Sequence, residues 1–177
     1  MNVVKSIDEN HMEAIQDIAK VISNALMVGG IIYWCGNGGS CSDSQHLAGE
    51  LIGRFKNDRR PLRSIALSSD TSVLTCIAND YGYNSVYSRQ IEGLGKKNDV
   101  LVGITTSGRS KNITEAIKQA SSMKLKTVGF LGRDGGDLKD FCDHTIIIPS
   151  NSTARIQEMH IMIGHIICEL VEQELNL

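Results

Sequence analysis

Apolar residues along the chain follow two patterns of spacing, one typical of helices and one typical of buried strands. Between about residues 7 and 28 they recur every three or four positions, which predicts an amphipathic helix ended by Gly29. The same spacing returns over about 153–175 and predicts a closing helix. The segment between them, about 30–150, is predicted to form the sheet core, so that residues 1–177 make one domain.

Five apolar runs in the central segment are too short for helices and rich in β-branched residues, which predicts buried strands. Helical segments alternate with these runs, and that order predicts a parallel sheet covered on both faces, an α/β doubly wound sandwich of about five strands. Asp70 is placed to cap the helix that follows it. The predicted strands lie in residues 29–36, 62–68, 99–106, 126–132 and 144–149, and the predicted helices between them span about 41–55, 70–80, 84–93 and 112–124.

Composition and charge exclude several classes of function. A net charge of −2 on 177 residues gives no electrostatic basis for binding nucleic acid or an anionic membrane. The apolar runs are far shorter than the roughly 20 residues that cross a bilayer, and the N-terminus lacks the basic-then-apolar order of a signal peptide. Five cysteines without a CxxC pair predict reduced thiols and therefore a cytoplasmic protein.

Two loops rich in glycine and hydroxyl groups follow predicted strands at equivalent positions. The first is Gly36-Asn37-Gly38-Gly39-Ser40, and the second is Thr105-Thr106-Ser107-Gly108-Arg109-Ser110. Glycines let a backbone approach an anion, and the hydroxyls and the following helix N-terminus can donate to it. The first loop lacks the third glycine of a dinucleotide fingerprint, since position 41 is Cys41, and no P-loop lysine follows. Each loop alone could be a plain turn and helix cap, but the pair favours a phosphate site.

His46 and Glu50 are four residues apart on the predicted helix after the first loop. Their side chains therefore lie on one face, about 5–6 Å apart at Cβ. That spacing suits two metal ligands or an acid–base pair, although it also occurs in exposed helix pairs. Their position near the first loop favours a role in a site.

The closing helix carries further polar candidates on an otherwise apolar stripe. Gln157 and His165 lie two turns apart along the helix and about 80° around its axis. A histidine among apolar residues is by default a core histidine, so the pattern alone leaves the role of His165 open. We expect the remaining histidines, His11, His144 and His160, to be structural or exposed, and Arg109 to be solvated.

Five ordered motifs resemble a known family over nearly the whole chain. They are CGNGGS, QHLAGEL, AND, ITTSGRS and ARIQEMHIMIGH. The two loops resemble those of the sugar isomerase (SIS) domain, a flavodoxin-like sandwich that binds phosphosugars, and the full set is similar to the phosphoheptose isomerases. The resemblance implies interconversion of sedoheptulose 7-phosphate and D-glycero-D-manno-heptose 7-phosphate, at the entry to ADP-heptose and the lipopolysaccharide core.

The resemblance also implies an assembly and a set of site residues. It implies a homotetramer with active sites between subunits, and one zinc ion per subunit held by His46, Glu50, Gln157 and His165. Substrate contacts would come from Asn37, Gly38, Gly39, Ser40, Glu50, Arg54, Asn79, Asp80, Thr105, Thr106, Ser107, Ser110 and Gln157. Some family members carry an aspartate where this chain has Ala154, so any part that carboxylate plays does not transfer.

The implied reaction moves a proton between neighbouring carbons through an enediol, which needs a base, an acid and stabilisation of charge on oxygen. We expect Glu50 to act as the base and His165 to deliver or shuttle the second proton. A carboxylate engaged by a metal is a weaker base, and a metal-bound nitrogen cannot carry a proton. Either the ligation loosens during turnover or the metal mainly organises the site.

Three other interpretations share this fold. A non-catalytic SIS protein, such as the regulator that binds the replication initiator DnaA, resembles the loops but lacks the residues that match Glu50 and His165. The sugar-phosphate-sensing modules of transcription regulators carry a helix-turn-helix domain, for which this chain has no room. An isomerase for another phosphosugar stays open, because the loops do not measure the length of the carbon chain.

Overall fold

Helices and strands alternate along the part of the chain that the computed structural model describes, residues 3–177. The six α-helices and five strands of this part confirm the predicted α/β order. In chain order they are α1 (Glu9–Met27), β1 (Ile32–Gly36), α2 (Gly39–Ile52), β2 (Ser64–Ala66), α3 (Thr71–Tyr81), α4 (Ser88–Leu94), β3 (Val100–Thr105), α5 (Lys111–Ser122), β4 (Lys126–Gly132), β5 (His144–Ile148) and α6 (Thr153–Glu174). Short 3₁₀ helices cover Val3–Ser6, Tyr83–Ser85 and Asp137–Asp140.

All five strands run parallel in one sheet, in the order β2-β1-β3-β4-β5, which confirms the doubly wound architecture. The chain moves from β1 outward to β2 and then returns to β3 on the other side of β1. In an open α/β sheet, ligands bind at the carboxyl ends of the two strands between which the winding reverses. Gly36 pairs with Ile104 at those ends, so the two predicted loops begin side by side.

Apolar cores lie on both faces of the sheet, as the continuous strand runs predicted. On one face, α1, α2 and α6 pack against strand side chains that include Trp34 and Val102. On the other face, α3, α4 and α5 pack against alternate strand residues, including Tyr33 and Leu101. The central strands β1 and β3 are therefore buried along their whole length. The two helices that carry the histidine and carboxylate candidates, α2 and α6, share one face.

Some element ends differ from the predictions by a few residues. The helix expected from Cys41 begins at Gly39, because the glycine turn already makes helical hydrogen bonds, and it ends at Ile52. The segment expected as one helix over 84–93 is a 3₁₀ turn followed by α4. The earlier start of α2 places the last two residues of the first loop inside its first turn.

The first and last helices pack against each other on the same face of the sheet. They still expose large apolar side chains, namely Met12, Met27, Met162 and Ile166. One chain therefore covers only part of their broad apolar surface. Across residues 3–177, every helix is too short or too polar to pass through a membrane.

Candidate active site

The loop after β1 leads directly into the N-terminus of α2. Gly38 occupies the N-cap with φ +56°, a left-handed conformation that glycine adopts without strain. The N–H groups of Ser40 and Cys41 donate to the carbonyls of Asn37 and Gly38 within this turn. The helix dipole favours negative charge at this end of α2. Gly39 and Ser40 lie in the first turn of the helix.

Three hydroxyl groups cluster in the loop between β3 and α5. Thr105 Oγ1 lies 2.9 Å from Ser110 Oγ and 3.4 Å from Ser107 Oγ. The N–H of Arg109 donates to Ser107 Oγ at 3.2 Å. Ser110 is the N-cap of α5, which puts a second helix N-terminus beside the first loop. This arrangement suits an anion with several oxygens, such as a phosphate.

A pair of side-chain amides joins the first loop to the first turn of α5, directly after the second loop. Asn37 Nδ2 donates to Asn112 Oδ1 at 2.9 Å, and Asn112 Nδ2 donates to Asn37 Oδ1 at 2.8 Å. The hydroxyl of Tyr83 also donates to Asn37 Oδ1, at 2.9 Å. Sequence reasoning missed Asn112 and Tyr83. The one available signal was a poor helix former at the start of α5, directly after a hydroxyl-rich loop.

His46, Glu50 and His165 converge where α2 meets α6. His46 Nε2 lies 2.9 Å from Glu50 Oε1 and 3.1 Å from His165 Nε2. The three candidate donor atoms all lie within 4.8 Å of one another. The i, i+4 spacing on α2 accounts for the first contact, but the second depends on how the two helices pack. The default interpretation of His165 as a plain core histidine is therefore wrong.

The approach of α2 to α6 depends on a glycine. A Cβ atom added at Gly164 would lie 2.6 Å from the methyl groups of Leu47, far inside normal carbon–carbon contact. These two residues are the sequence neighbours of His165 and His46. On the other side, Phe55 stacks on the His165 ring, with centroids 5.6 Å apart and 26° between the ring planes. The His165 ring is thus held between Phe55 and His46.

The three donor atoms are of types that bind a divalent metal ion, and they all lie within 4.8 Å of one another. Zinc binds histidine nitrogen and carboxylate oxygen at about 2.0–2.2 Å, so neighbouring ligand atoms of a tetrahedral site lie about 3.3 Å apart. The separations of 2.9 and 3.1 Å from His46 Nε2 are close to that value. Two facing neutral imidazole nitrogens can share only one proton, whereas a cation between them would bind both lone pairs.

Gln157 reaches the first loop from α6. Its amide lies over Gly39, where an added Cβ atom would be 2.4 Å from Nε2 and 2.9 Å from Oε1. A glycine at position 39 therefore leaves the space that the amide occupies. With His165 two turns further along α6, this one helix reaches both the first loop and the His46–Glu50 pair.

Three predicted substrate contacts lie on exposed positions outside this cluster. Asn79 and Asp80 are on the last turn of α3, where Asn79 Nδ2 donates to Asp80 Oδ1 at 2.8 Å. Arg54 is exposed just beyond the end of α2. Thr106, in contrast, is half-buried directly after β3. The roles of these four residues stay predictions.

Arg109 and two of the other histidines have structural partners. Arg109 forms a bidentate ion pair with Asp134, at 3.0 and 2.7 Å, and its side chain is 49% exposed, so it is solvated as expected and paired as well. Hydrogen bonding to that guanidinium holds the pKa of the Asp134 carboxyl well below its usual range.

His160 is buried and donates to the carbonyl of Leu131 at 3.0 Å, and His11 forms the capping box of α1. Their predicted structural roles are confirmed.

Comparisons with known proteins agree with this fold. Residues 1–132 match the SIS domain family. The phosphoheptose isomerase of Clostridium acetobutylicum is 51% identical over 168 residues, which cover 95% of this chain and 86% of the relative. That of Nitratiruptor sp. is 58% identical over 142 residues, 80% of this chain and 76% of the relative. The solved phosphoheptose isomerase of Neisseria gonorrhoeae has a TM-score of 0.87 and 41% identity, over 91% of this chain and 86% of that chain.

The sheet order, the paired loops and the histidine–carboxylate cluster define an α/β protein with the sugar-isomerase fold. This chain belongs to the SIS domain family and, within it, to the phosphoheptose isomerases. The family membership that five sequence motifs indicated is therefore confirmed.

Proposed function

We propose that this chain is an aldose–ketose isomerase that converts D-sedoheptulose 7-phosphate to D-glycero-D-manno-heptose 7-phosphate by enediol proton transfer. The observation that carries the proposal is the convergence of His46, Glu50 and His165 on helices next to two loops rich in glycine and hydroxyl groups, which begin where the winding of the sheet reverses. Relatives at 51% and 58% identity are phosphoheptose isomerases. The product would feed ADP-heptose and lipopolysaccharide core biosynthesis.

The substrate phosphate would bind between the loops after β1 and β3. Both loops end at a helix N-terminus, and the second contributes a cluster of hydroxyls. Binding energy at the remote phosphate would position the reacting carbons at the cluster on α2 and α6. The proposed phosphate and sugar contacts are Asn37, Gly38, Gly39, Ser40, Thr105, Thr106, Ser107 and Ser110, with Glu50, Arg54, Asn79, Asp80 and Gln157 completing the substrate site.

One zinc ion per subunit would be held by His46, Glu50, Gln157 and His165. The distances among the histidines and Glu50 support three of these ligands. Gln157, whose amide lies over Gly39 at the start of α2, is the fourth ligand we propose. When bound, zinc would act as a Lewis acid that polarises the substrate carbonyl. Two of these ligands lie beyond residue 132, where the family match ends, so we propose that the SIS domain extends to the end of α6.

Glu50 would take the proton from the substrate carbon, and His165 would deliver or shuttle the second proton. The contacts with His46 use one carboxylate oxygen of Glu50 and one ring nitrogen of His165. Each side chain therefore keeps a second atom for proton transfer. This division of atoms would ease the conflict between holding a metal and moving protons.

We infer a homotetramer with active sites at the subunit interfaces. The exposed apolar residues of α1 and α6 support an assembly, and so does the open position of the His46 side chain, which is 49% exposed in one chain. Light scattering on the purified protein tests the tetramer. The five cysteines are all free thiols, which suits a reducing compartment, and we assign the protein to the cytoplasm without a nucleic-acid or membrane partner.

The test is conversion of sedoheptulose 7-phosphate by the purified protein, as isolated, after chelation and after zinc is restored. Turnover that falls on chelation and returns with zinc supports both the reaction and the metal. Turnover that chelation leaves unchanged would reject the metal assignment alone. A lack of turnover under every metal condition would overturn the proposal, in favour of a non-catalytic sugar-phosphate-binding protein or an isomerase of another phosphosugar.

A further inference from the structure

A buried ion pair ties the segment after α2 to α6. Arg59 Nε lies 2.7 Å from Glu172 Oε1, and the two side chains are 2% and 3% exposed. Burying two charges costs free energy unless hydrogen bonds satisfy the remaining donors and acceptors. The chemistry proposed above uses neither residue, although both adjoin the elements that carry the site.

The other N–H groups of Arg59 donate hydrogen bonds to backbone carbonyls at the end of α2. Its Nη2 donates to the carbonyl of Glu50 at 2.9 Å, and its Nη1 donates to the carbonyl of Leu51 at 2.9 Å. Nη1 also donates to the carbonyls of Gly53 and Arg60. The last carbonyls of an α-helix have no partner within the helix. Arg59 therefore caps α2 at the turn that presents Glu50.

The carboxylate of Glu172 also accepts hydrogen bonds from the backbone of the segment that follows α2. Its two oxygens accept the N–H groups of Phe55, Lys56 and Asn57, at 3.1, 3.2 and 3.4 Å. Burial opposes ionisation of Glu172, but the hydrogen bonds from Arg59 and these amides outweigh it, so the pKa of its carboxyl lies below the usual value. The carboxylate thereby fixes the backbone of the residue whose ring stacks on His165.

The position of Glu172 along α6 links this network to the site. It follows His165 by seven residues, which puts it about 10 Å further along the helix on nearly the same face. Glu50 and His165 stand on two different helices, so their separation depends on how those helices are held. The Gly164–Leu47 contact holds the two helices together beside His46 and His165. The ion pair holds α6 to the segment after α2 about two turns further along α6.

We propose that Arg59 and Glu172 are positioning residues of the active site. The pair locks the end of α2 and the following segment onto α6, so that Glu50 and His165 keep their separation and Phe55 stays against the His165 ring. The inference rests on the function proposed above for Glu50 and His165. Mutation of groups that hydrogen-bond to metal ligands and orient them typically lowers activity or metal affinity by about 10- to 100-fold.

Arg59→Lys is the main test, because lysine keeps the charge but lacks the planar fork that serves Glu172 and the α2 carbonyls together. We expect kcat to fall about 10- to 100-fold and the KM for sedoheptulose 7-phosphate to stay within about twofold, because the phosphate loops are untouched. The dissociation constant for zinc, measured by competition with a chromophoric chelator, is expected to rise about tenfold.

The chain offers a matched control in a second ion pair between the same segments. Lys56 Nζ lies 2.6 Å from Glu169 Oε1, with the side chains 57% and 39% exposed, and such partly solvated pairs contribute little. Lys56→Met combined with Glu169→Gln is expected to leave kcat and zinc affinity unchanged. If Arg59→Lys behaves like this control, the positioning role is rejected.

A second variant distinguishes an effect on folding from an effect on the position of the active-site residues. Removing one partner of a buried pair is destabilising, whereas an apolar pair of similar volume is often tolerated. Arg59→Met with Glu172→Leu, checked by circular dichroism and thermal melting, is therefore expected to fold and still lose kcat and zinc affinity. Native values in that folded variant would overturn the inference.

The zinc titration needs no turnover, so it also separates this inference from the proposed function. If the wild-type protein binds zinc but does not isomerise sedoheptulose 7-phosphate, the proposed function is refuted. Weaker zinc binding by the Arg59→Lys variant would still support the positioning role in that case. An active wild-type protein with unchanged kcat and zinc affinity in both variants would refute the positioning role alone.

Discussion

Nε2 of His165 lies 3.1 Å from Nε2 of His46, although the two histidines are 119 positions apart in the chain. His46 stands on α2, which begins at the loop after β1, and His165 stands on α6. Their contact adds His165 to the His46–Glu50 pair, so that three side chains form one cluster. Two of the three stand on a helix that starts at the carboxyl end of β1, and open α/β sheets bind ligands at such ends.

Glu50→Gln tests the assignment of the base. Glutamine keeps the shape and a ligating oxygen but cannot take a proton, so we expect kcat to fall by about 10²–10⁴ while zinc remains bound. Steady-state kinetics and metal analysis of the same preparation measure both. Turnover close to that of the wild type with zinc still bound would show that another group is the base.

Gly39→Ala tests the placement of Gln157. The added Cβ would occupy the position of the Gln157 amide, so we expect the amide to be displaced and kcat/KM to fall about tenfold or more. Gly49→Ala in the same helix is the control, because its Cβ would have open space. If the effect acts through Gln157, the double variant with Gln157→Ala is no worse than Gln157→Ala alone. Additive losses would point to a direct clash with substrate.

Asn112→Ala tests the amide pair between the loops. It removes both hydrogen bonds to Asn37, and we expect a loss of about 1–3 kcal/mol in unfolding free energy because the Asn37 amide is left partly unpaired. The loops should then hold phosphate less well, which raises KM and the inhibition constant of inorganic phosphate more than it lowers kcat. Tyr83→Phe, which removes one bond of the three, should give a smaller shift in the same direction. Unchanged phosphate inhibition would contradict the link.

His160 predicts a loss of stability in mild acid. Burial lowers the pKa of its imidazole to about 4 in the folded protein, against about 6.5 in an unfolded chain. Between these values the unfolded chain binds a proton that the folded chain does not, so the unfolding free energy falls as pH decreases, by about 1.4 kcal/mol per unit and about 3 kcal/mol in total. Urea unfolding of the metal-free protein at pH 7, 6 and 5 measures this.

The matched variant for that measurement is His160→Gln. Its amide can still donate to the carbonyl of Leu131 but does not titrate, so the variant should lose less stability than the wild type over the same pH range. Equal pH dependence in the two proteins would assign the acid sensitivity to other groups.

Local rules account for most of the secondary structure. Asp70 caps α3 as predicted, because its carboxylate accepts the N–H of Val73 at 3.0 Å. The central strands β1 and β3 were recognisable from apolar runs, since parallel strands buried on both faces need apolar residues along their length. Short element ends were less predictable, because glycine-rich turns such as the one before α2 can continue a helix by a residue or two.

Buried polar networks were not predictable in the same way. Asn112 looks like an exposed polar residue on an amphipathic helix, and Arg59 and Glu172 look like ordinary surface charges. Periodicity reports which face of a helix is apolar, but it cannot say which polar side chain meets a partner from another element. Such partners are set by packing, and here they connect Arg59 to a residue 113 positions away.

Local sequence patterns were enough to predict a parallel doubly wound sheet, two loops rich in glycine and hydroxyl groups after its strands, and a shared helix face for His46 and Glu50. Each of these depends on a few neighbouring residues, whose geometry a helix turn or a strand pleat sets. Three other features appear only in the folded structure. They are the contact of His165 with His46, the position of Gln157 over Gly39, and the buried ion pair that joins α6 to the segment after α2. Those distances depend on how whole helices pack against one sheet, which no local spacing rule can specify.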